Sequence, residues 1–293
     1  MLKELLCQLY LGIISEEDFM RKKIAVLLSG VMLLSMVLTG CGGSNKSEKT
    51  TEAPAADASA DLVYAVEAGS AGAAVAAEKG FNVNEVASQA DALMEVQSGT
   101  SDAAIIDLLM AGAMIGEGTS YPNLTHTDEL TTEEYGVGCR KGSDLASFIN
   151  SVLYNTYSDG TLTEIATQYG VQEALVEQQE CAYEPAASDS DVEAIKAKGS
   201  LIVGITDFAP MDYKDDNGEW IGFDADMAKI VGEELGVKVE FTEIDWDNKI
   251  MELDSGNIDV VWNGMTLTDE VTSAMSCTNP YCNNAQVVVV PAK

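Results

Sequence analysis

The chain has 293 residues, room for one large or two small domains, and its 46% hydrophobic and 6% aromatic content is that of an ordinary globular protein. Its formal charge of −32 is not ordinary, and it argues against nucleic acid as a partner, because phosphate binding needs clusters of Lys and Arg. The plain meaning of such acidity is a solvated surface that aids solubility.

In chain order, the first clear signal is at residues 20–41. Arg21, Lys22 and Lys23 precede an apolar run from Ile24 to Leu38, which ends in Leu38-Thr39-Gly40-Cys41. This is the layout of a secretory signal, and the final tetrapeptide resembles the lipobox of bacterial lipoproteins, which implies lipid attachment at Cys41. The apolar run is shorter than the roughly 20 residues a membrane span needs. Residues 1–19 do not fit such a signal, so translation is expected to begin at Met20. Residues 42–60, rich in Gly, Ser, Thr, Glu and Ala, are expected to be a flexible tether of about 24 Å root-mean-square span.

Loss of residues 1–40 leaves Cys139, Cys181, Cys277 and Cys282 beside the lipidated Cys41. Four cysteines allow three pairings; export permits disulfides, and free, partly buried thiols are equally open. No cysteine spacing matches a zinc site, and His126 has no ligand-type neighbours, so neither metal nor cofactor is expected.

From Asp61 onward, α and β patterns alternate. Leu62–Glu67 predicts a strand, and Gly69-Ser70-Ala71-Gly72 opens a helix running to about Lys79. Ala90–Gln97 predicts a helix stopped by Gly99, and Ala103–Ile106 a buried strand with Asp107 at its carboxyl end. Tyr135–Arg140 predicts another strand, followed by two helices between Asp144 and Tyr169. Residues 171–190 form a polar joint, after which Ser190 and Glu193 make a capping box. Leu201–Ile205 predicts a strand, and the helix from Phe223-Asp224 places Met227, Ile230, Val231 and Leu235 on one face before Gly236. Val237–Phe241 predicts a strand, Trp246–Leu253 a helix, Ile258–Trp262 a buried strand, and Val287–Val290 a last β-branched run.

One stretch is echoed. Leu93-Met-Glu-Val-Gln-Ser-Gly99 precedes Asp102-Ala-Ala-Ile, and Ile250-Met-Glu-Leu-Asp-Ser-Gly256 precedes Asp259-Val-Val-Trp. Each is a helix, a Gly stop and a buried strand, the grammar of a βαβ unit, so two α/β lobes are expected. Ligands in open α/β sheets sit beyond the carboxyl ends of the strands, here marked by Asp107 in one half and Asn263-Gly264-Met265-Thr266 in the other.

The motifs Gly222-Phe223-Asp224-Ala225-Asp226-Met227-Ala228, Met265-Thr266-Leu267-Thr268-Asp269-Glu270, Asn279-Pro280-Tyr281 with Gln286-Val-Val-Val-Val, and Glu134-Tyr135 to Gly142 resemble the solute-binding proteins of polar amino-acid ABC transporters. Asp159-Gly160-Thr161-Leu162 with Tyr169-Gly170 is similar to that family's closing helix. The resemblance implies an α/β, two-lobed, type II periplasmic-binding-protein-like clamshell. It also implies an amino acid or similar small polar solute as ligand and an ABC permease complex as partner, on the extracytoplasmic face of the cell membrane.

The order differs from the family's: what stands here at 191–293 comes first there, and what stands at 61–170 comes last. A circularly permuted order is therefore expected, with 61–134 as lobe 2, 135–170 as a crossing strand and the closing helices of lobe 1, 171–190 as a linker joining the family's old termini, and 191–293 as the main part of lobe 1. Twenty residues reach at most about 70 Å, enough to cross one lobe face. With only the strand near Tyr135–Arg140 still covalent between the lobes, Val287–Val290 is expected to pair in place without continuing into lobe 2, leaving a looser hinge.

The resemblance also implies a site. Asp107 matches the position that holds an α-ammonium, though it equally suits the N-cap of the segment from Leu108. Gly69, Ser70 and Ala71 open a helix whose free N–H groups suit a carboxylate. Phe208 and Trp246 match apolar walls, or are core, as aromatic residues usually are. Asn263, Gly264, Met265 and Thr266 fit the loop that meets the ammonium and carboxylate. Val271 stands where most amino-acid binders of the family carry an Arg clamp. The only arginines in the chain are Arg21 and Arg140, so the carboxylate rests on N–H and hydroxyl groups or the ligand is not a standard α-amino acid. No general acid and base pair is evident, so binding without catalysis is the expectation. The alternatives are a degenerate or domain-swapped rearranged product and a clamshell-fold enzyme such as a dehydratase.

Overall fold

The computed structural model describes residues 62–293. The expected signal run, the start at Met20, Cys41 and the 42–60 tether lie outside the described residues.

The first half alternates strongly. Strand β1 (Val63–Glu67), helix α1 (Ala71–Lys79), strand β2 (Asn82–Val86), helix α2 (Gln89–Ser98), strand β3 (Ala103–Asp107), helix α3 (Leu108–Met114) and strand β4 (Leu124–Glu129) follow one another. The caps explain where the helices stop and start. Ser70 and Ser88 accept from the backbone N–H three residues on, and Gly80 and Gly99 close the helices in the left-handed conformation. Next come strands β5 (Glu133–Tyr135) and β6 (Gly138–Cys139), then helices α4 (Leu145–Asp159) and α5 (Thr161–Tyr169).

The second half repeats the pattern. Helix α6 (Asp191–Lys198), strands β7 (Ser200–Ile205), β8 (Tyr213–Lys214) and β9 (Trp220–Ile221), helix α7 (Phe223–Leu235) and strand β10 (Lys238–Glu243) are followed by a 3-10 turn at Trp246–Asn248 that leads into helix α8 (Lys249–Asp254). Strand β11 (Val260–Val261), helix α9 (Asp269–Ala274) and strands β12 (Ser276–Cys277), β13 (Cys282–Asn284) and β14 (Gln286–Pro291) complete the chain.

The two large sheets have the same architecture. Their strand orders are β2-β1-β3-β14-β4 and β10-β7-β11-β6-β12. In each, three strands are parallel and the fourth runs antiparallel. The echoed segments do matching work. Asp102 Oδ2 accepts the Val63 N–H at 2.9 Å, and Asp259 Oδ2 accepts the Ile202 N–H at 2.8 Å, so each pins the start of the first strand of its sheet. These are two mixed α/β lobes, as the sequence led us to expect.

Each sheet takes its antiparallel strand from the other half of the chain. Strand β6 pairs with β11 and β12, and β14 pairs with β3 and β4. Although 191–293 was expected as the main part of lobe 1, residues 286–291 thus pair in place within the sheet of the 61–134 lobe. Val287 and Val289 are fully buried in it, which is why the run is β-branched on every position. The crossing at β5–β6 is continuous with both lobes, whereas β14 is held in the first lobe's sheet by strand pairing, and the two crossings pair with each other where they pass, β13 against β5.

Two further expectations are refined. The Tyr135–Arg140 strand divides into β5 and β6 at Gly136, where the backbone passes so close to Leu267 that an added Cβ would lie 2.6 Å from Cδ2. The edge strands β2 and β4 were not foreseen, because Asn82–Val86 and Leu124–Glu129 are polar and largely exposed.

The joint at 171–190 crosses the face of the second lobe as irregular chain after a 3-10 turn at Gln172–Ala174. The Val176 N–H donates to the Tyr281 carbonyl and Gln178 Nε2 to the Pro280 carbonyl. Its far end converges on Asp144, which accepts from Tyr183 Oη, Ser190 Oγ and the Ala186 and Val192 N–H groups. Cys139, Cys181, Cys277 and Cys282 are all free thiols, and His126 lies exposed on β4. No helix among the described residues is long and apolar enough to cross a membrane.

Candidate functional site

A cavity of about 230 Å³ lies between the lobes, beyond the carboxyl ends of β1, β3 and β11. Glu67, Gly69, Ser70, Ala71, Gln89 and Asp107 line it from the first lobe, and Trp246, Lys249, Asn263 to Thr266, Asp269, Glu270 and Val271 from the second. Ten of the eleven expected residues therefore meet here. The exception is Phe208. Of the two places open to it, it takes the core: it is 2% exposed, edge-on to Tyr135, and directly beneath Gly264. Gly264 has φ +56°, and a Cβ there would lie 2.3 Å from the Phe208 ring, so only glycine fits.

Much of the expected polar machinery is already bound within the protein. Asn263 exchanges two hydrogen bonds with Thr206, and the Gly264 N–H donates to Asp224 Oδ2 at 2.6 Å. Thr266 Oγ1 donates to Glu133 Oε1 at 3.0 Å. The Asp107 carboxylate accepts from the side-chain amides of Gln89, Asn284 and Gln286. Asp107 stands at the N-cap position of α3, but its side chain makes no capping bond. Burial, then the adjacent Glu133, holds the Asp107 carboxyl well above the usual range. A saturated Oδ1 and a single remaining lone pair on Oδ2 leave Asp107 little capacity for a ligand ammonium.

At the helix end foreseen as a carboxylate seat, the Ser70 N–H donates to the Glu67 carbonyl and the Ala73 N–H to Ser70 Oγ. Val271 is buried in a small apolar cluster with Trp246, Leu253 and Met265, so no charge replaces the missing Arg. Arg140 is occupied elsewhere, bound to Asp191 and the Ile258 carbonyl.

Two residues that sequence reasoning missed dominate the electrostatics. Lys249 is buried and donates to the Gly69 carbonyl at 2.8 Å and the Trp246 carbonyl at 3.2 Å, with its ammonium 5.0 Å from the Trp246 ring centroid. Burial lowers its pKa, against the pull of Glu270, Glu67 and Asp247. Glu67 is 3% exposed, and its Oε1 has no hydrogen-bond partner. Burial pushes the Glu67 carboxyl up to about 8, opposed by Lys249 and Gln89. Its place at the end of a parallel strand, two residues before Gly69, was the signal that could have marked it. Among the described residues, no group of three or more His, Cys, Asp or Glu is placed to hold a metal ion.

The family model for bacterial extracellular solute-binding proteins, family 3, matches residues 201–293. That span is similar to family 3 solute-binding proteins. It runs from β7 to β14, and so holds four of the five strands of one large sheet and one strand of the other. Relatives of the chain include a probable histidine-binding protein of Neisseria gonorrhoeae, 35% identical over 85 residues, or 29% of this chain and 32% of that one. A cyclohexadienyl dehydratase of Pseudomonas aeruginosa is 27% identical over 104 residues, covering 35% and 39%. Among solved structures, an ancestral cationic amino acid solute-binding protein is 45% identical, covers 29% of this chain and 37% of its own, and aligns with a TM-score of 0.28. The chain spans about a third of the length of the curated relatives it matches.

Proposed function

We propose that this chain is the substrate-binding component of an ABC importer for an amino acid or similar small polar solute. In this reading it is held on the extracytoplasmic face of the cell membrane by lipid on Cys41, and its family segments stand in circularly permuted order. One observation carries the proposal: a cavity whose walls come from the strand ends of two like lobes. Such lobes close on a solute because closure adds contacts from the second wall, and differential affinity sets the open–closed balance. The permuted order is supported by the reciprocal strands, since β6 and β14 each complete the opposite sheet although the halves are inverted. The pinned 171–190 joint is long enough to connect the family's former termini.

A dehydratase reading has one specific support, a buried carboxyl in the cavity, Glu67, protonated at neutral pH and so able to donate a proton. Against it, a prephenate-type substrate is a dicarboxylate, and the cavity walls carry Glu67, Asp107, Asp269 and Glu270.

Thermal melting of the full chain against a panel of amino acids and small cations tests the proposal. A solute at 100 times its Kd stabilises by about 2.7 kcal/mol. A flat panel, or a melt without a cooperative transition, would favour a rearranged product without a transport role. Prephenate turnover would favour the enzyme. Release of the protein from membranes by Cys41→Ser checks the anchor.

A further inference from the structure

We infer that the cavity takes a small organic cation that carries no carboxylate, with an ammonium group of that cation set against Glu67. The inference rests on the solute-binding reading above and names the class of solute.

Acidic side chains outnumber basic ones on the walls. Glu67, Asp107, Asp269 and Glu270 face one base, Lys249. Two of that base's three N–H donors are already taken by carbonyls, Gly69 and Trp246, and its ammonium lies over an indole ring, so at most one N–H is left for an anion. Val271 closes the place where a guanidinium would meet a carboxylate, and Arg140 is bound to Asp191. A ligand carboxylate would therefore meet walls lined by four acids and at most one free N–H of Lys249, an under-paired and costly arrangement for a buried charge.

An ammonium meets the opposite situation. Glu67 Oε1 is buried without a donor although it lines the cavity. A buried acceptor left unsatisfied costs stability, and a charge-assisted N–H···O bond from a ligand restores it. Asp107 is the poorer acceptor, since three side-chain amides already take all but one of its lone pairs. Asp269 and Glu270 are exposed in the first turn of α9, where they extend the negative potential to the cavity mouth and draw cations towards it.

The test pairs solutes that differ only by the carboxylate: agmatine against arginine, and cadaverine against lysine, each titrated calorimetrically into the full chain. At least one amine is expected to bind tenfold or more tightly than its carboxylated parent, and Glu67→Gln to weaken that amine at least tenfold while the melt stays cooperative. Equal or tighter binding by the parent amino acids overturns the inference, as does an undiminished amine affinity in Glu67→Gln. The paired comparison needs no variant. If a neutral or carboxylated solute binds instead, the cation assignment falls and the solute-binding role stands; if no solute of any charge shifts the melt, both fall.

Discussion

Lys249 Nζ lies 2.8 Å from the Gly69 carbonyl oxygen, joining the two lobes across 180 positions of sequence. The contact is close because the backbones themselves are close. A Cβ on Gly69 would stand 2.7 Å from both Asp247 Cα and Asp247 Oδ1, and the residue has φ +68°. Gly69→Ala is therefore expected to hold the lobes apart. Left-handed strain adds about 1–2 kcal/mol. Small-angle scattering should show a larger radius that solute no longer reduces, with affinity at least tenfold weaker. An unchanged radius and affinity would show that the Gly69–Asp247 approach is not needed for closure.

Glu67 makes the cavity pH-dependent. Its folded carboxyl is raised to about 8 by burial, offset by Lys249 and Gln89 and reinforced by Asp91 and Asp245. A raised folded pKa means the folded state holds the proton more tightly than the unfolded chain. This contribution to stability is complete below about pH 4, the unfolded value, and declines as pH rises through 8. Glu67→Gln should flatten that part of the stability profile. Cation affinity should run the other way, rising between pH 7 and 9 as Glu67 ionises, with proton release measurable by calorimetry in buffers of different ionisation enthalpy.

Asp144 ties the 171–190 joint to the second lobe. Burial works against its ionisation, yet bonds from Ser190, Tyr183, Val192 and Ala186 bring its carboxyl down to about 2. A depressed pKa contributes stability above about pH 4 that is lost as pH falls through 2. Asp144→Ala should cost about 2 kcal/mol, by loss of charge-assisted bonds, and should expose the joint to limited proteolysis near Tyr183. Protection equal to the parent protein's would show that the joint is held by other contacts.

Asp212 and Asp224 form a fully buried acidic pair beneath the Gly264 turn. Asp224 Oδ2 accepts from Gly264 and Tyr281, but Asp224 Oδ1 and both Asp212 oxygens have no partner. Burial raises both carboxyls, Asp224 to about 7, and Asp224 raises Asp212 further. Stability from this pair is thus greatest in acid and falls as pH rises towards neutrality. Asp212→Asn removes one of the two acids and is expected to gain about 1 kcal/mol at pH 7 but little at pH 4, read from thermal melts across that range.

Much of this protein was legible from residue order. The echo of Leu93–Gly99 in Ile250–Gly256 announced two like lobes, because helix stops and buried strands are local patterns. The pinning acids Asp102 and Asp259 stand at the same place in each echo. Gly69 to Ala71 and Asn263 to Thr266 were found because strand ends and helix starts are where open α/β sheets present groups to a ligand. Three things were decided only by the tertiary structure. Strand β14 crosses into the opposite sheet, since pairing partners far apart in sequence carry no local signature. Phe208 lies in the core under Gly264 rather than on the cavity wall. The electrostatics of the cavity pass from Asp107 to Glu67 and Lys249, because whether a carboxylate is satisfied depends on which amides and cations the fold brings within 3 Å of it, and those come from distant parts of the chain.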